Sequence, residues 1–200
     1  MSYSIIGTGG VGSTLASYFA KDGIEVALAN TRGADAVEPV ARKLGQGVVA
    51  KSLDEALKAD VIFIAVPFLK FKDVASALPD WTGKIVIDVT NAFTLPAEVQ
   101  EAEFGARPSS EANAERVPGA KLVKAFNQLA VKDLASPVPA GGKRVVFVSS
   151  DDEDASTKVA RLAERLRFAP IEIGKLDEGG RLIQAPNALV FQDLIKFEKK

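Results

Sequence analysis

Near the start of the chain, Gly7-Thr8-Gly9-Gly10-Val11-Gly12 has the spacing G-x-G-x-x-G. It follows an apolar segment, Tyr3–Ile6, and leads into a segment of helical periodicity, Ser13–Asp22. In such a strand–turn–helix unit the first glycine permits the tight turn. The second lets the backbone approach a pyrophosphate, and the third lets the helix pack against the strand. An anion bound there meets unpaired N–H groups and the positive end of the helix dipole. The six residues therefore predict a dinucleotide-binding site.

The end of the second predicted strand indicates which dinucleotide is preferred. Folds that bind NAD carry an acidic residue about 20 residues beyond the glycines, where it binds the ribose 2′-hydroxyl. This chain has Asn30-Thr31-Arg32-Gly33 at that point, with no carboxylate to repel a 2′-phosphate. Thr31 offers a hydroxyl donor and Arg32 a permanently charged, planar guanidinium. We therefore expect Asn30, Thr31 and Arg32 to favour NADP(H) over NAD(H), although an ordinary turn with a solvated arginine would look the same.

Three further strands end in polar or loop-forming residues. In an open α/β sheet, ligands lie across the carboxyl ends of the strands. Each end alone could be a simple strand exit, but together with the glycine turn they predict one continuous rim. The cofactor contacts predicted there are Val66, Pro67, Phe68, Thr90, Asn91, Ala125, Phe126 and Asn127.

The elements that must position these residues are short apolar segments alternating with helical ones. Several segments are apolar at every position, as strands buried on both faces of a parallel sheet must be. The predicted fold is α/β, a doubly wound, mostly parallel Rossmann sheet with helices on both faces. Residues 1–200 are expected to form one domain, with 175–200 as a C-terminal extension near an acceptor pocket and Glu103–Gly119 as a surface loop with one short helix. The predicted strands are Tyr3–Ile6, Glu25–Ala29, Val48–Ala50, Val61–Val66, Ile85–Val89, Leu122–Phe126, Val145–Val148 and Ile171–Ile173.

The amino-acid composition excludes several kinds of catalytic and binding site. The chain has no histidine and no cysteine, which excludes Ser-His-Asp hydrolysis, thiolate catalysis and His- or Cys-ligated metals. Lysine plus arginine number 25 against 26 acidic residues, so no nucleic-acid surface is expected. No apolar run is long enough to cross a bilayer and no signal-peptide pattern is present, so a cytoplasmic location is expected. We expect no metal site, and we leave the oligomeric state open, a homodimer included.

The same composition favours one kind of reaction. A conjugated acceptor such as a flavin, deazaflavin or quinone can take a hydride without a positioned acid, whereas ketone reduction needs a proton donor. Lys124 and Asp88, in or near the rim, are only weak candidates for that role, because each could simply form an ion pair or point into solvent. The predicted function is an NADP(H)-dependent oxidoreductase acting on a small planar acceptor, with no catalytic side chain identified. The alternative is a non-catalytic NADP(H)-binding redox sensor that acts through a protein partner.

Five motifs carry a family resemblance: Gly7–Gly12, Asn30–Gly33, Ala65–Phe68, Ile87–Asn91 and Lys124–Asn127. Together they resemble the NADP-dependent reductases of the 8-hydroxy-5-deazaflavin coenzyme and, more distantly, the nucleotide domain of membrane metalloreductases. The resemblance extends from Ser4 to about Gly179.

The resemblance implies a role for several of these residues. It places Thr8–Val11 on the pyrophosphate and Thr31 with Arg32 on the 2′-phosphate. It also places Val66, Pro67, Ala125 and Phe126 near the nicotinamide, with a flavin or deazaflavin as co-substrate.

Two departures from the family pattern bear on this expectation. The segment from Gly179 to Asn187 lacks the Gly-Pro that usually leads into a helix beside the acceptor, and Gly33-Ala34-Asp35 lacks a second basic residue. The first leaves the acceptor open, and the second weakens the NADP preference without removing it. Imine reductases resembling pyrroline-carboxylate reductases share the N-terminal half, but they need a long helical dimerisation domain that this chain has no length to build.

Overall fold

Short runs of branched apolar residues form the strands of the computed structural model, which describes residues 1–197. The strands are β1 (Tyr3–Ile6), β2 (Val26–Ala29), β3 (Val48–Ala50), β4 (Val61–Ile64), β5 (Ile85–Asp88), β6 (Lys121–Ala125), β7 (Gly142–Ser150), β8 (Ala169–Glu172) and β9 (Ile195–Phe197). The helices are α1 (Gly10–Lys21), α2 (Ala34–Leu44), α3 (Leu53–Ala56), α4 (Phe71–Ala75), α5 (Ala97–Glu103), α6 (Ser109–Arg116), α7 (Val131–Ala135) and α8 (Glu153–Arg165). A 3₁₀ turn spans Phe68–Lys70, and a single π-helical turn spans Leu176–Gly180.

The strands form one sheet in the order β3-β2-β1-β4-β5-β6-β7-β8. Strands β1 to β6 pair in parallel, β7 runs antiparallel to β6 and parallel to β8, and β9 adds to β7 in the antiparallel sense. The direction of winding reverses between β1 and β4, which is where doubly wound folds bind dinucleotides. The predicted fold class is therefore confirmed.

Helices cover both faces of the sheet because its central strands are apolar on both. Ile5 and Phe63 belong to a core with α1, α2, α7 and α8 on one face, while Ile6 and Ile64 belong to a second core with α3 and α4 on the other. Successive strand residues point to opposite faces, so an uninterrupted apolar run supplies both cores. This sandwich holds the carboxyl ends of β1, β4, β5 and β6 at one edge.

Three details of the expected fold differ in the structure. Segment Glu103–Gly119 is not only a surface loop, because α6 packs beside the sheet with Ser109, Ser110 and Asn113 buried. Strand β9 was missed because its three residues are partly exposed and lack an apolar pattern. The predicted β4 also runs two residues too far, so Ala65 and Val66 lie in the loop that follows it.

Candidate functional site

The glycine turn joins β1 to α1 at the centre of the sheet edge. Gly7 has φ of 127°, and a Cβ atom there would lie 2.1 Å from the backbone oxygen of Ala65. A Cβ on Gly12 would lie 2.0 Å from the backbone oxygen of Gly7. Both glycines are therefore required by close contact of backbone with backbone.

Gly9 differs from these two glycines. A Cβ atom there would meet nothing within 4 Å, because it would project into open space at the start of α1. No acidic residue occupies the first turn of that helix. The first N–H groups of a helix have no acceptor within it, so a pyrophosphate fits here electrostatically and sterically.

The end of β2 is tied to this turn by Asn30. Its Nδ2 donates to Oγ1 of Thr8 over 3.1 Å, and its Oδ1 accepts from the backbone N–H of Arg32 over 2.8 Å. The side chains of Thr31 and Arg32 are exposed beside it. Asn30 thus holds in place the loop that exposes the Thr31 hydroxyl and the Arg32 guanidinium.

Two cavities open on this edge. The first, of about 330 Å³, lies between β2 and the segment after β4 and suits an adenosine group. Its lining residues are Ile6, Asn30, Thr31, Val66, Pro67, Lys70, Asp73 and Val74.

The second cavity, of about 390 Å³, extends from the glycine turn across the ends of β4 and β5 to the C-terminal segment. We call it the rim cavity. Among the residues that the structure describes, its lining contains no charged side chain. The lining residues are Gly9, Gly10, Val11, Ala65, Val66, Pro67, Val89, Thr90, Asn91, Phe93, Leu129, Ala130, Val131 and Phe191.

A larger groove, of about 790 Å³, lies at the amino ends of β1 and β2, around Met1–Tyr3 and Gly23–Glu25. Ligands of doubly wound sheets bind at the carboxyl ends of the strands, so its size alone does not make it the functional site.

Three of the predicted rim residues turn their side chains inward. Phe68 is buried against Phe104, with the ring centroids 5.6 Å apart. Ala125 and Phe126 are buried in the core of the α1 face, where the ring of Phe126 packs against Phe63. A cofactor at this edge would therefore contact these three positions through backbone atoms, and their role in binding it stays a prediction.

Asn127 holds the rim rather than lining its cavity. Its Nδ2 donates to Oδ1 of Asn91 over 3.1 Å and to the backbone oxygen of Ile183 over 2.7 Å. In return Nδ2 of Asn91 donates to the backbone oxygen of Asn127 over 2.8 Å. These amides fasten the ends of β5 and β6 to each other and to the C-terminal segment.

Asp88 and Lys124 form a buried ion pair with 3.1 Å between Oδ2 and Nζ. The Asp88 carboxylate also accepts hydrogen bonds from the backbone and hydroxyl of Thr90 and from Nδ2 of Asn113. Burial lowers the pKa of Lys124, and the neighbouring Asp88 opposes that shift. Neither residue is among the residues that line the rim cavity, and both are bonded to Thr90, which does line it.

Phe93, Phe191 and Asn113 are among the contributors to this edge that sequence reasoning missed. Phe93 lies two residues beyond Asn91, the last residue of a motif that the resemblance covers, and that position was the signal available. Phe191 and Asn113 lie in segments without a motif, and only the folded chain brings them to the rim.

Within residues 1–197 no helix has the length and apolar character needed to span a membrane. No group of three or more His, Cys, Asp or Glu side chains in the same range could hold a metal ion.

Known protein families and curated proteins resemble mainly the N-terminal part of the chain. Residues 2–92 match the family model described as NADP oxidoreductase coenzyme F420-dependent. Metalloreductase STEAP3 of Rattus norvegicus is 30% identical over 124 residues, which are 62% of this chain and 24% of that protein. The chain spans about a quarter of the length of the curated relatives it matches.

Solved structures extend the likeness to the whole chain. The hypothetical protein SMa0349 from Sinorhizobium meliloti superimposes with a TM-score of 0.91 and 41% identity, covering 98% of this chain and 96% of that one. A putative F420-dependent NADP-reductase from Arthrobacter sp. FB24 has a TM-score of 0.74 at 23% identity, covering 92% and 90%, and shows a shared fold. The relatives with a named activity are oxidoreductases, and the model matched by residues 2–92 is that of an NADP oxidoreductase.

Proposed function

This chain belongs to the same family as the Sinorhizobium meliloti protein SMa0349, and we propose that it is an NADP(H)-dependent oxidoreductase acting on a planar, conjugated redox acceptor. The observation that carries the proposal is the rim cavity, which is continuous with the glycine turn and has no charged side chain in the part of the chain described. A dinucleotide bound at the turn would extend into this cavity.

The preference for NADP(H) is supported by the loop after β2. Thr31 and Arg32 are exposed there, and the Asn30 hydrogen bonds fix the backbone that carries them. The guanidinium of Arg32 is permanently charged and matches the geometry of a phosphate. We therefore assign Thr31 and Arg32 to the 2′-phosphate, the start of α1 to the pyrophosphate, and Val66, Pro67, Thr90 and Asn91 to the nicotinamide end.

A conjugated acceptor is supported by the absence of an available proton donor from the cavity lining within residues 1–197. The Thr90 hydroxyl donates to Asp88, and both side-chain atoms of Asn91 are bonded to Asn127. No titratable side chain lines the cavity among residues 1–197, so a ketone or an imine would find no positioned acid there. NADPH, when bound, supplies a hydride that a conjugated ring can accept while taking its proton from water. The protein contributes alignment and exclusion of solvent.

The proposal is tested by incubating the protein with NADPH and, separately, menadione, FMN, an 8-hydroxy-5-deazaflavin and a ferric chelate. We expect oxidation of NADPH with at least one of the three ring acceptors. Tight NADPH binding without turnover of any of them would contradict the proposal and favour the non-catalytic sensor.

The cofactor assignment has its own test in Arg32→Ala. A charge-assisted hydrogen bond contributes about 1.5–3 kcal/mol, so NADPH affinity should fall by about 10- to 150-fold while NADH affinity stays nearly unchanged. Arg42→Ala is the matched control, because Arg42 on α2 is exposed and pairs with Glu38 in the same helix. Equal losses of affinity for NADPH and NADH in Arg32→Ala would show that Arg32 does not bind the 2′-phosphate.

A further inference from the structure

Two phenylalanine rings stand exposed at the mouth of the rim cavity. Phe93, from the loop after β5, is 46% exposed, and Phe191, from the C-terminal segment, is 53% exposed. Their ring centroids lie 5.5 Å apart with the planes at 86°, an edge-to-face pair. Both rings line the cavity, so their apolar surface is available to whatever fills it.

The position of Phe191 is fixed by the fold around it. Its backbone N–H donates to the backbone oxygen of Gln128 over 2.7 Å, and its φ is 61°. A phenylalanine adopts this left-handed conformation only where surrounding contacts hold it. Ile183, earlier in the same segment, is fully buried, and its backbone oxygen is bonded to Asn127. The segment therefore presents the Phe191 ring to the cavity as a fixed wall.

We propose that Phe93 and Phe191 bind the ring system of the acceptor and select an uncharged aromatic ring over small carboxylates and phosphates. Aromatic rings prefer offset-stacked or edge-to-face neighbours, and two perpendicular rings offer both a face and an edge. Beyond the glycine turn, a carboxylate or phosphate in the cavity would lose water, and the lining within residues 1–197 offers no cation to replace it. Charged substituents of an acceptor must then extend into solvent beyond the two rings. This inference rests on the proposed function.

The test uses Phe93→Ala, Phe191→Ala and the double variant in the full chain. Phe197→Ala is the control, because Phe197 is 55% exposed in the same C-terminal segment but does not line the cavity. Four quantities are measured: KM and kcat for menadione and FMN, the Kd for NADPH, and the Kd for lumichrome on NADP⁺-loaded protein by fluorescence anisotropy. Glyoxylate serves as the small-carboxylate comparison.

We expect each single variant to raise the KM for both ring acceptors and the lumichrome Kd by about 10-fold. NADPH affinity should stay within about twofold, and the control should match the intact protein. Glyoxylate should not be reduced by the intact protein.

The outcomes separate the two proposals. If the intact protein turns over no ring acceptor, the proposed function fails, and lumichrome binding still tests the aromatic pair. If turnover occurs but the double variant keeps the KM and lumichrome Kd of the intact protein, the pair has no role in acceptor binding. A change in oligomeric state on size-exclusion chromatography with unchanged lumichrome affinity would overturn the inference in favour of a contact between copies of the chain.

Discussion

Residues 1–92 and residues 93–197 meet at the same edge of the sheet, but they are held there by different interactions. In the first part, backbone packs directly against backbone: a Cβ atom on Gly7 or Gly12 would collide with a main-chain oxygen about 2 Å away. In the second part, side chains bond to main-chain groups far along the chain. Asn127 bonds to Ile183, and Gln184 bonds to Ser109.

This difference matters for function. A turn built from backbone contacts leaves little freedom in shape, which suits a nucleotide that is the same for many enzymes. A wall built from side chains can be altered one residue at a time without disturbing the sheet. We therefore expect the N-terminal part to determine the cofactor and the C-terminal part to determine the acceptor.

The largest expected effect lies at the junction of the two parts, where Asp88 on β5 pairs with Lys124 on β6. Lys124 is 1% exposed and Asp88 is 0% exposed in their side chains. In Lys124→Met the carboxylate stays buried without its counter-ion, which should lower the free energy of unfolding by about 3–5 kcal/mol. Urea denaturation of the variant and the intact protein measures this loss.

The double variant Asp88→Asn/Lys124→Met is the control for charge. It removes both charges and should recover much of the lost stability, since replacing a whole buried pair costs less than breaking one. A loss below about 1 kcal/mol in Lys124→Met would mean that the hydrogen bonds from Thr90 and Asn113 are sufficient for Asp88.

A smaller loss of stability is expected for an alanine at Gly12 than at the buried ion pair, and almost none for an alanine at Gly9. Gly12→Ala places a methyl group against the main-chain oxygen of Gly7, and such overpacking costs about 1–3 kcal/mol. Gly9→Ala places the same group in open space, so stability should change by less than about 0.5 kcal/mol. NADPH affinity should fall sharply in Gly9→Ala because the methyl group occupies the space that the pyrophosphate needs.

Thermal melts and NADPH titrations of the two variants together test this distinction. Normal NADPH binding by Gly9→Ala would mean that the turn does not bind a pyrophosphate. Unchanged stability of Gly12→Ala would mean that α1 can move away from β1 without cost.

The contrast between the two parts also explains what the sequence could predict. The runs of apolar residues and the glycine spacing are local patterns, so the sheet, its winding and the glycine turn follow from them. The direction of Phe68 does not, because its ring is turned inward by Phe104, which the sequence places in an apparent surface loop. The inward position of Ala125 depends on where β6 ends.

Burial also decides which variants can test the acceptor site. Ala125→Leu would overpack a buried core position instead of obstructing a pocket. Deleting the chain beyond Gly174 would remove Leu176 and Ile183, which are almost fully buried, and would test folding instead of acceptor binding. Point variants within the C-terminal segment avoid both problems.

Gln184→Ala is the mildest of these and tests how the acceptor wall is attached. Oε1 of Gln184 accepts from the backbone N–H of Ser109 over 2.6 Å, at the first residue of α6. That N–H has no acceptor within its own helix, so the bond docks the C-terminal segment onto α6.

Loss of this hydrogen bond in Gln184→Ala should cost about 1 kcal/mol in unfolding free energy. We expect the KM for the ring acceptor to rise while NADPH affinity stays the same. Asn187→Ala is the matched control, because Nδ2 of Asn187 donates to the backbone oxygen of Arg181 within the same segment. Parallel losses of NADPH and acceptor affinity in Gln184→Ala would contradict the division between a cofactor part and an acceptor part.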